Sequence, residues 1–385
     1  MSAEHVLPSR SSKCYPDAHS GAHHSARRAF GVVALVGLLC LALDVEPGRV
    51  LGAPITIETV PVGNAGNAPD PLTGNLYGSV SYDYRIGKYE VTNAQYAAFL
   101  NEKAKSDPLG LYNTNMASGF FSVWGGITRS GVSGSYTYTT KPNMADKPVN
   151  FVSWYDAIRF ANWLHNGQGS GDTETGAYTI LGGTATPTNG LSITRNPNAK
   201  WWLPSEDEWY KAAYYDPTLD GGDGGYWLYP TQSNSAPTMA TANSTGDISN
   251  PGTNVANYGS GANWNSTVIG NVTTVGSAGP LSESYYGTSD QGGNLWEWNE
   301  RLFGSTRGHR GGAFADVGLI VGNSGDLRSS TWSLLSPSSE GNIVGFRVAT
   351  LAVIPEPSTA VLAIVGCLSL ASLWRVRKRR TALST

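Results

Sequence analysis

Three short amphipathic segments stand out from the pattern of hydrophobic and polar positions, and each begins with the same polar signature. A hydroxyl side chain is followed three residues later by an acid or amide, at Thr92 and Gln95, Ser153 and Asp156, and Ser205 and Glu208. Such a capping box satisfies free backbone N–H groups at a helix start. Apolar residues then recur at helical spacing, as at Ala157, Phe160, Ala161 and Leu164. The pattern predicts three helices with structural acids at their starts.

The chain between these helices is rich in Gly, Ser, Thr and Asn, with short apolar runs. Aromatic residues lie within or beside the stretches 167–190, 216–225 and 230–262, which indicates surface loops or hairpins rather than linkers. There is no repeat of solenoid period. We therefore predict one α+β domain from about Ile55 to Thr350.

Charge and cysteine usage narrow the chemistry of this domain. Residues 54–353 hold 16 Lys and Arg against 24 Asp and Glu, a balance that disfavours nucleic acid and suits bound cations. The three cysteines, Cys14, Cys40 and Cys367, all lie outside that range. Disulfides, thiol nucleophiles and thiolate metal sites are thus excluded from the domain. Its only histidines are His165 and His309, too few for a three-histidine metal site.

The first 53 residues have the layout of a secretory signal. Arg27 and Arg28 precede an apolar run over 29–43, and the small residues of 51–53 follow. This order is typical of a signal peptide with a long leader, so we expect export. An N-terminal membrane anchor is the alternative, because the spacing to Ala53 is longer than usual.

The last 35 residues, 351–385, carry a second targeting pattern. Pro355, Glu356 and Pro357 precede an apolar stretch over 358–374 and a basic cluster over 375–380. Seventeen helical residues span roughly 25 Å, the short limit for a bilayer crossing. The three parts in this order resemble the PEP-CTERM sorting signal of bacteria, which implies membrane anchoring and processing by an exosortase. An ordinary single-span anchor would share the topology without the cleavage.

The segment Asp290-Gln-Gly-Gly-Asn-Leu-Trp-Glu-Trp298 concentrates oxygen donors, glycines and tryptophans. Asp290 and Glu297 offer carboxylates, and the glycine pair allows a tight turn that aims carbonyls inward. Calcium takes six to eight such oxygens. The segment is therefore a candidate calcium-binding turn, with a glycine-rich hairpin carrying solvated acids as the alternative.

Six segments occur in the order found in the formylglycine-generating enzyme, or sulfatase-modifying factor, family, and the chain resembles that family over about 265 residues. They begin at Arg85, Lys147, Trp202, Asp290, Arg310 and Val344, the last two reading Arg-Gly-Gly-Ala-Phe and Val-Gly-Phe-Arg-Val-Ala. The resemblance implies an irregular α+β fold related to C-type lectins, with little regular secondary structure and structural calcium.

The family's calcium positions map onto this chain one by one. Asp290 and Glu297 match side-chain ligands, and Gly293 and Leu295 match main-chain carbonyl ligands. A second family site opens with an Asn and the next carbonyl, which Asn257 and Tyr258 match. The stretch after them shows no clear acidic ligand.

The family's catalytic positions do not carry over. Oxidase members place a serine and then two cysteines after Arg-Gly-Gly, and the cysteines bind copper(I). Here the serine position is Ala313, the first cysteine position is Asp316, and the second lies near Ile320 or Val321. Oxygen ligands suit copper(I) poorly, so we expect no copper.

Two classes of function follow. The first is an exported, surface-anchored binding or structural module whose loops meet polysaccharide or a surface protein. Its candidate stacking platforms, which could equally hold their own loops together, are Trp227, Tyr229 and Trp264. The second is a family enzyme, an oxidase or another non-haem metal oxidoreductase, with an altered site around Asp316, His309, Arg310 and Arg347. Ion pairs on the surface are the alternative role for those four residues.

Overall fold

The predicted helices all form, and each begins at its predicted cap. A computed structural model describes residues 54–117, 119–315 and 324–351, which all belong to one compact unit. Helix α1 spans Asn93–Lys103, α2 spans Trp154–His165 and α3 spans Glu206–Tyr214. In each capping box the hydroxyl accepts from a backbone N–H, and the acid or amide accepts from the N-cap N–H.

The predicted leader at 1–53 and the sorting residues Pro355, Glu356 and Pro357 lie outside the described residues. Within the described ranges no helix is both long and apolar enough to cross a bilayer.

The strands are short and irregular. The described residues contain β1 (Thr59–Val62), β2 (Tyr84–Gly87), β3 (Ile127–Ser130), β4 (Thr137–Thr140), β5 (Trp201–Trp202), β6 (Tyr215–Asp216), β7 (Gly225–Tyr226), β8 (Thr238–Met239), β9 (Val255–Ala256), β10 (Trp296–Phe303), β11 (Thr306–Arg310), β12 (Ser333–Leu335), β13 (Val344–Gly345) and β14 (Ala349–Leu351). Short 3-10 helices connect them at Pro71–Thr73, Thr114–Met116, Phe120–Val123, Gly190–Ser192, Asp220–Gly222, Pro280–Ser282 and Ser324–Leu327.

Two four-stranded sheets organise these strands. The first has the order β1-β2-β14-β5, with Ala349 opposite both Ile86 and Trp202. Its last strand in sequence thus joins the two ends of the domain. The second has the order β12-β11-β10-β13, in which β13 runs parallel to β10. β10 starts directly after Leu295. The position of this sheet therefore determines where the glycine-rich turn of residues 290–295 ends.

Aromatic side chains form the centre of the largest core cluster. The ring of Phe160 on α2 lies 5.4 Å from Phe99, 5.7 Å from Trp163 and 5.5 Å from Phe346, measured between centroids. Such pairs each add about 0.5–1.5 kcal/mol beyond the area they bury. They pack α1 and α2 against Phe346, so ring contacts rather than disulfides connect these segments.

Candidate functional site

The turn before β10 has an unusual backbone. Asp290, Gly293 and Asn294 adopt positive φ angles of 61°, 86° and 60°. Gly293 also lies against the backbone of Asn257, where a β-carbon would collide with the carbonyl group. Only glycine meets both demands, because it has no side chain to clash. Gly293 therefore allows close packing of this turn against the chain near Asn257.

The two acids of the turn have different partners. Glu297 is fully buried and forms a two-point ion pair with Arg347, whose Nε and Nη2 each donate at 2.6 Å. The Trp209 Nε1 donates to the same carboxylate at 2.8 Å. Asp290 accepts the Gly276 N–H at 2.6 Å, and loss of water raises the pKa of its carboxyl to about 6.

A third carboxylate, Glu90, completes this cluster. Glu90 is buried, and it accepts the Leu295 N–H at 3.1 Å and the Asn294 Nδ2 at 2.8 Å. Burial, followed by the charges of Glu297 and Asp290, raises its pKa well above the ordinary value. Sequence reasoning missed Glu90, because its contacts with the turn span more than 200 residues.

Calcium fits the charge of this cluster better than its present geometry. Three carboxyl groups, Glu90, Asp290 and Glu297, act on the Arg347 guanidinium, and a bound cation would favour the charged forms of Glu90 and Asp290, whose pKa values burial raises. Beside Asp290 lies a cavity of about 10 Å³ whose lining includes Thr288 and other hydroxyl groups, room for one water-sized group. Both Glu297 oxygens are engaged by Arg347, however, and no three His, Cys, Asp or Glu of the described ranges surround one metal position.

The second predicted position centres on Asn257. Its Nδ2 donates to the Asn271 carbonyl at 2.9 Å and to the Thr273 hydroxyl at 3.2 Å. Its Oδ1 is buried and has no hydrogen-bond partner among the described residues. A buried carbonyl oxygen without a donor is unfavourable by about 1–3 kcal/mol, and a cation would satisfy it. Asn271 and Thr273 come from the stretch in which the sequence showed no acidic ligand.

The neighbouring Tyr258 is also buried, and its hydroxyl donates to the Pro237 carbonyl at 2.6 Å. That bond ties Tyr258 to the chain at Pro237. The structure thus places Asn257 and Tyr258 beside the turn, since the Asn257 carbonyl accepts the Asn294 N–H at 2.8 Å.

The candidate catalytic residues that the structure describes, His309, Arg310 and Arg347, have separate partners. His309 lies on β11 between the rings of Trp296 and Trp298, at 5.0 and 5.6 Å between centroids. Burial lowers its pKa to about 4, so it is neutral at pH 7. Its Nδ1 has no partner among the described residues. Ala313 belongs to the main core, and Asp316 lies outside the described residues.

Arg310 and Arg347 serve two separate buried ion pairs. The Arg310 guanidinium pairs with Glu206 of α3 and donates to the Ser329 and Thr331 carbonyls, at 2.9 and 2.8 Å. Arg347 pairs with Glu297, as described above. Both guanidiniums are fully buried, so their ion pairs lie in the protein interior. The prediction of surface ion pairs is therefore wrong for Arg310 and Arg347. Each arginine cross-links distant chain segments.

Two of the three suggested stacking platforms are buried. Tyr229 is almost fully covered, and Trp264 donates its Nε1 to the Val272 carbonyl at 2.8 Å. The Lys147 ammonium lies 5.1 Å from the centre of the Trp264 ring. Trp227 is half-buried and donates to Asp216 at 3.1 Å. These rings hold their own loops together, which was the alternative role.

Comparison with known proteins settles the family. The description "Sulfatase-modifying factor enzyme 1-like domain" matches residues 77–352, well over half of the chain. The chain belongs to the sulfatase-modifying factor family. This membership, with the three α-helices and many short strands of the described residues, confirms the irregular α+β fold of the C-type-lectin kind.

Solved structures similar to this sulfatase-modifying factor family member have low sequence identity. Treponema denticola variable protein 1 is 18% identical, with 78% of this chain and 97% of that chain covered and a TM-score of 0.44. CarF is 19% identical, with 78% and 100% covered and a TM-score of 0.44. PvdO from Pseudomonas aeruginosa is 16% identical, with 77% and 93% covered and a TM-score of 0.38. No curated protein sequence matches the chain.

Proposed function

We propose that this sulfatase-modifying factor family member is an exported, membrane-anchored binding or structural module of the cell envelope, without formylglycine-generating oxidase activity. The observation that carries the proposal is the absence of cysteine from residues 54–353, with Ala313 and Asp316 at positions that the oxidases fill with serine and cysteine. Copper(I) requires soft ligands, and this domain has no thiolate to offer.

The geometry of the remaining candidates supports the same proposal. A general base needs a pKa near the working pH and a path to substrate. His309 is enclosed by two indoles and has a pKa of about 4. Arg310 and Arg347 are each held by a buried carboxylate. These residues stabilise the fold in their described positions.

The alternative is a family enzyme, an oxidase or another non-haem metal oxidoreductase, with an altered site. Nothing in the described residues favours it, because they hold no cluster of three His, Cys, Asp or Glu around a metal position.

The test is an assay for aldehyde formation. Full-length protein, loaded with copper(I) under oxygen, is incubated with a peptide carrying the sulfatase cysteine motif, and the peptide mass is measured. We expect no loss of mass from the cysteine, while an active family member converts the same peptide in parallel. Conversion by this protein, abolished in Asp316→Ala, would establish the altered enzyme instead.

Calcium is part of the proposal as a structural ion. The three carboxyl groups that act on Arg347 support it, as does the Asn257 Oδ1, which has no partner among the residues that the structure describes. The predicted ligands are Asp290, Gly293, Leu295 and Glu297, with Asn257 and Tyr258 in the second position. Glu297 would have to share its oxygens with Arg347, which a carboxylate's remaining lone pairs allow.

Export and anchoring are proposed from the sequence at both ends. The leader at 1–53 supports secretion, and the tail from Pro355 supports membrane attachment with an exosortase as the processing partner. Cell fractionation should place the protein in the envelope or outside the cell, and Glu356→Ala should leave a longer, uncleaved form. A cytoplasmic wild-type protein would contradict the proposal.

A further inference from the structure

The tail that is proposed to anchor this protein leaves the domain from the first sheet. β14 ends at Leu351, and residues 352–357 separate it from the apolar stretch that begins at Ser358. An extended chain covers at most about 3.6 Å per residue, so the seven steps from Leu351 to Ser358 reach roughly 25 Å at most. The end of β14 therefore stays within that distance of a bilayer that takes up the stretch over 358–374.

The register of the first sheet shows which residues lie at this end of the domain. On one side of β14, Leu351 lies opposite Tyr84, the first residue of β2. On the other side, Thr350 lies opposite Trp201, the first residue of β5, and its hydroxyl donates to the Lys200 carbonyl at 2.7 Å. β2 and β5 therefore begin beside the point where β14 ends, and the residues just before those two strands share that end.

Several side chains at this end are of the kind found at bilayer interfaces. Leu351 is 53% exposed, and Tyr82, whose ring centroid lies 6.3 Å from that of Tyr84, is 46% exposed. Lys200 is exposed as well. Tyrosine and lysine suit the boundary between lipid and water because each has an apolar body and a polar end. This end of the sheet can therefore meet lipid headgroups without burying an unpaired charge.

Charge does not decide how this end is oriented. Lys200 and the exposed Asp83, which lies between Tyr82 and β2, have opposite charges. Arg195, in the loop before β5, is paired with Glu208 at 2.7 Å and with Glu300 at 2.5 Å. The reach of the tail is therefore the factor that brings this end to the membrane.

The opposite end of the same sheet lies farther from the tail. β1 and β14 both run antiparallel to β2, so they point the same way, and Val62 at the end of β1 is level with Leu351. Glu58 directly precedes β1, and the four residues from Glu58 to Val62 span roughly 13 Å of strand. The Glu58 side chain is 63% exposed. A probe at Glu58 therefore reports on the far end of the sheet.

We propose that the end of the first sheet formed by Leu351, Tyr82 and Lys200 lies against the lipid headgroups, while the Glu58 end points away from the membrane. The proposed orientation rests on the proposed function as a membrane-anchored module and adds the surface that meets lipid. The tail holds this end close to the bilayer, and the exposed Leu351 and Tyr82 side chains are stabilised when they leave water. The far end of the sheet is then presented to the exterior.

Fluorescence quenching in proteoliposomes tests this orientation. The domain has no cysteine, so an introduced cysteine can be labelled alone once the three cysteines outside the domain are replaced by alanine. Protein with its tail intact, purified from envelopes of cells that lack an exosortase, is labelled with bimane and placed in phosphatidylcholine vesicles containing brominated lipid. We expect quenching at Tyr82→Cys and Lys200→Cys to be at least about twofold stronger than at the matched control Glu58→Cys, which lies roughly 13 Å farther away.

A longer tail provides the second test. Insertion of about 12 Gly and Ser residues after Ala352 should reduce the quenching at Lys200→Cys, because a flexible linker of that length frees the domain from the bilayer. Thermal melting of every variant checks folding. Equal quenching at both ends of the sheet, or stronger quenching at Glu58→Cys as an anchor in the leader would give, would overturn the orientation. Failure of the protein to float with the vesicles would instead overturn membrane anchoring, and with it the proposed function.

Discussion

Glu340 shows how one residue can make the stability of this protein depend on pH. Its carboxyl hydrogen-bonds with Asp156 at the start of α2, and Asn113 Nδ2 also donates to it. Burial, with the Asp156 charge as the next cause, raises the pKa of Glu340 from an ordinary 4.5 to about 8. The folded state therefore binds a proton here that the unfolded chain releases near pH 4.5.

The sign of the effect follows from that difference. For an acid with a raised pKa, the free energy of unfolding is highest below pH 4.5 and falls as the pH rises towards 8. Glu340→Gln keeps the shape and removes the charge. We expect the variant to be more stable than wild type by about 1–2 kcal/mol at pH 9, discounted for partial exposure, and nearly equal at pH 5.

Urea unfolding at pH 5, 7 and 9 measures this. The exposed Asp223, replaced by Asn, is the control and should show no such trend. An equal gain in stability for Glu340→Gln at all three pH values would rule out proton binding at Glu340 as the cause.

At the scale of elements, a glycine of the turn before β10 can be compared with a second glycine elsewhere. The comparison separates two free-energy costs of a substitution: the left-handed backbone conformation and the collision of a β-carbon with neighbouring backbone. Gly293 and Gly279 both have φ angles of 86°, but only Gly293 would bring a β-carbon against backbone, that of Asn257. Gly279 faces open space. Alanine at either position costs about 1 kcal/mol or more for the left-handed conformation. Gly293→Ala should lose about 2 kcal/mol beyond Gly279→Ala, because the turn must also move.

Denaturant midpoints of the two variants give the comparison. If the two variants lose similar amounts of stability, the turn adjusts to a β-carbon at little cost and does not provide rigid geometry for an ion.

Elements built from local signals were predictable from the sequence, and contacts between distant segments were not. The capping boxes at Thr92, Ser153 and Ser205 name the helix starts because the interaction closes within four residues. The strands are mostly two to four residues long, too short for an alternating pattern to identify. Glu90 reaches the turn only through the folded chain, so no local pattern could assign it.

The residues of the candidate site divide in the same way, into those that a local motif predicts and those that only the folded chain brings together. Asp290, Gly293 and Glu297 were predicted because the family motif is contiguous. Their partners Arg347 and Trp209 were not, since they lie 50 and 88 positions from Glu297 along the chain. Burial also decided between the two roles of Trp264.

At the scale of the whole molecule, a bound ion can contribute to the stability of this domain, which has no disulfides. The cluster of Glu90, Asp290 and Glu297 joins β10 to the chain near Lys88 and Gly276, so an ion there would hold distant segments together. An ion that binds only the folded state at 100 times its Kd adds about 2.7 kcal/mol. For a domain of this size, that corresponds to roughly 5 to 10 °C in Tm.

We expect EGTA to lower the Tm by that amount, and added calcium, but not magnesium, to restore it, since magnesium demands a tighter octahedral geometry. Asp290→Asn should have a low Tm that no longer responds to calcium. Glu283→Gln is the control, because Glu283 pairs with Lys88 at 3.2 Å nearby without belonging to the predicted ligands. If melting curves in EGTA and in calcium coincide for the wild type, no ion stabilises the cluster. The Arg347 ion pair and protonation of the other carboxyl groups then account for its stability.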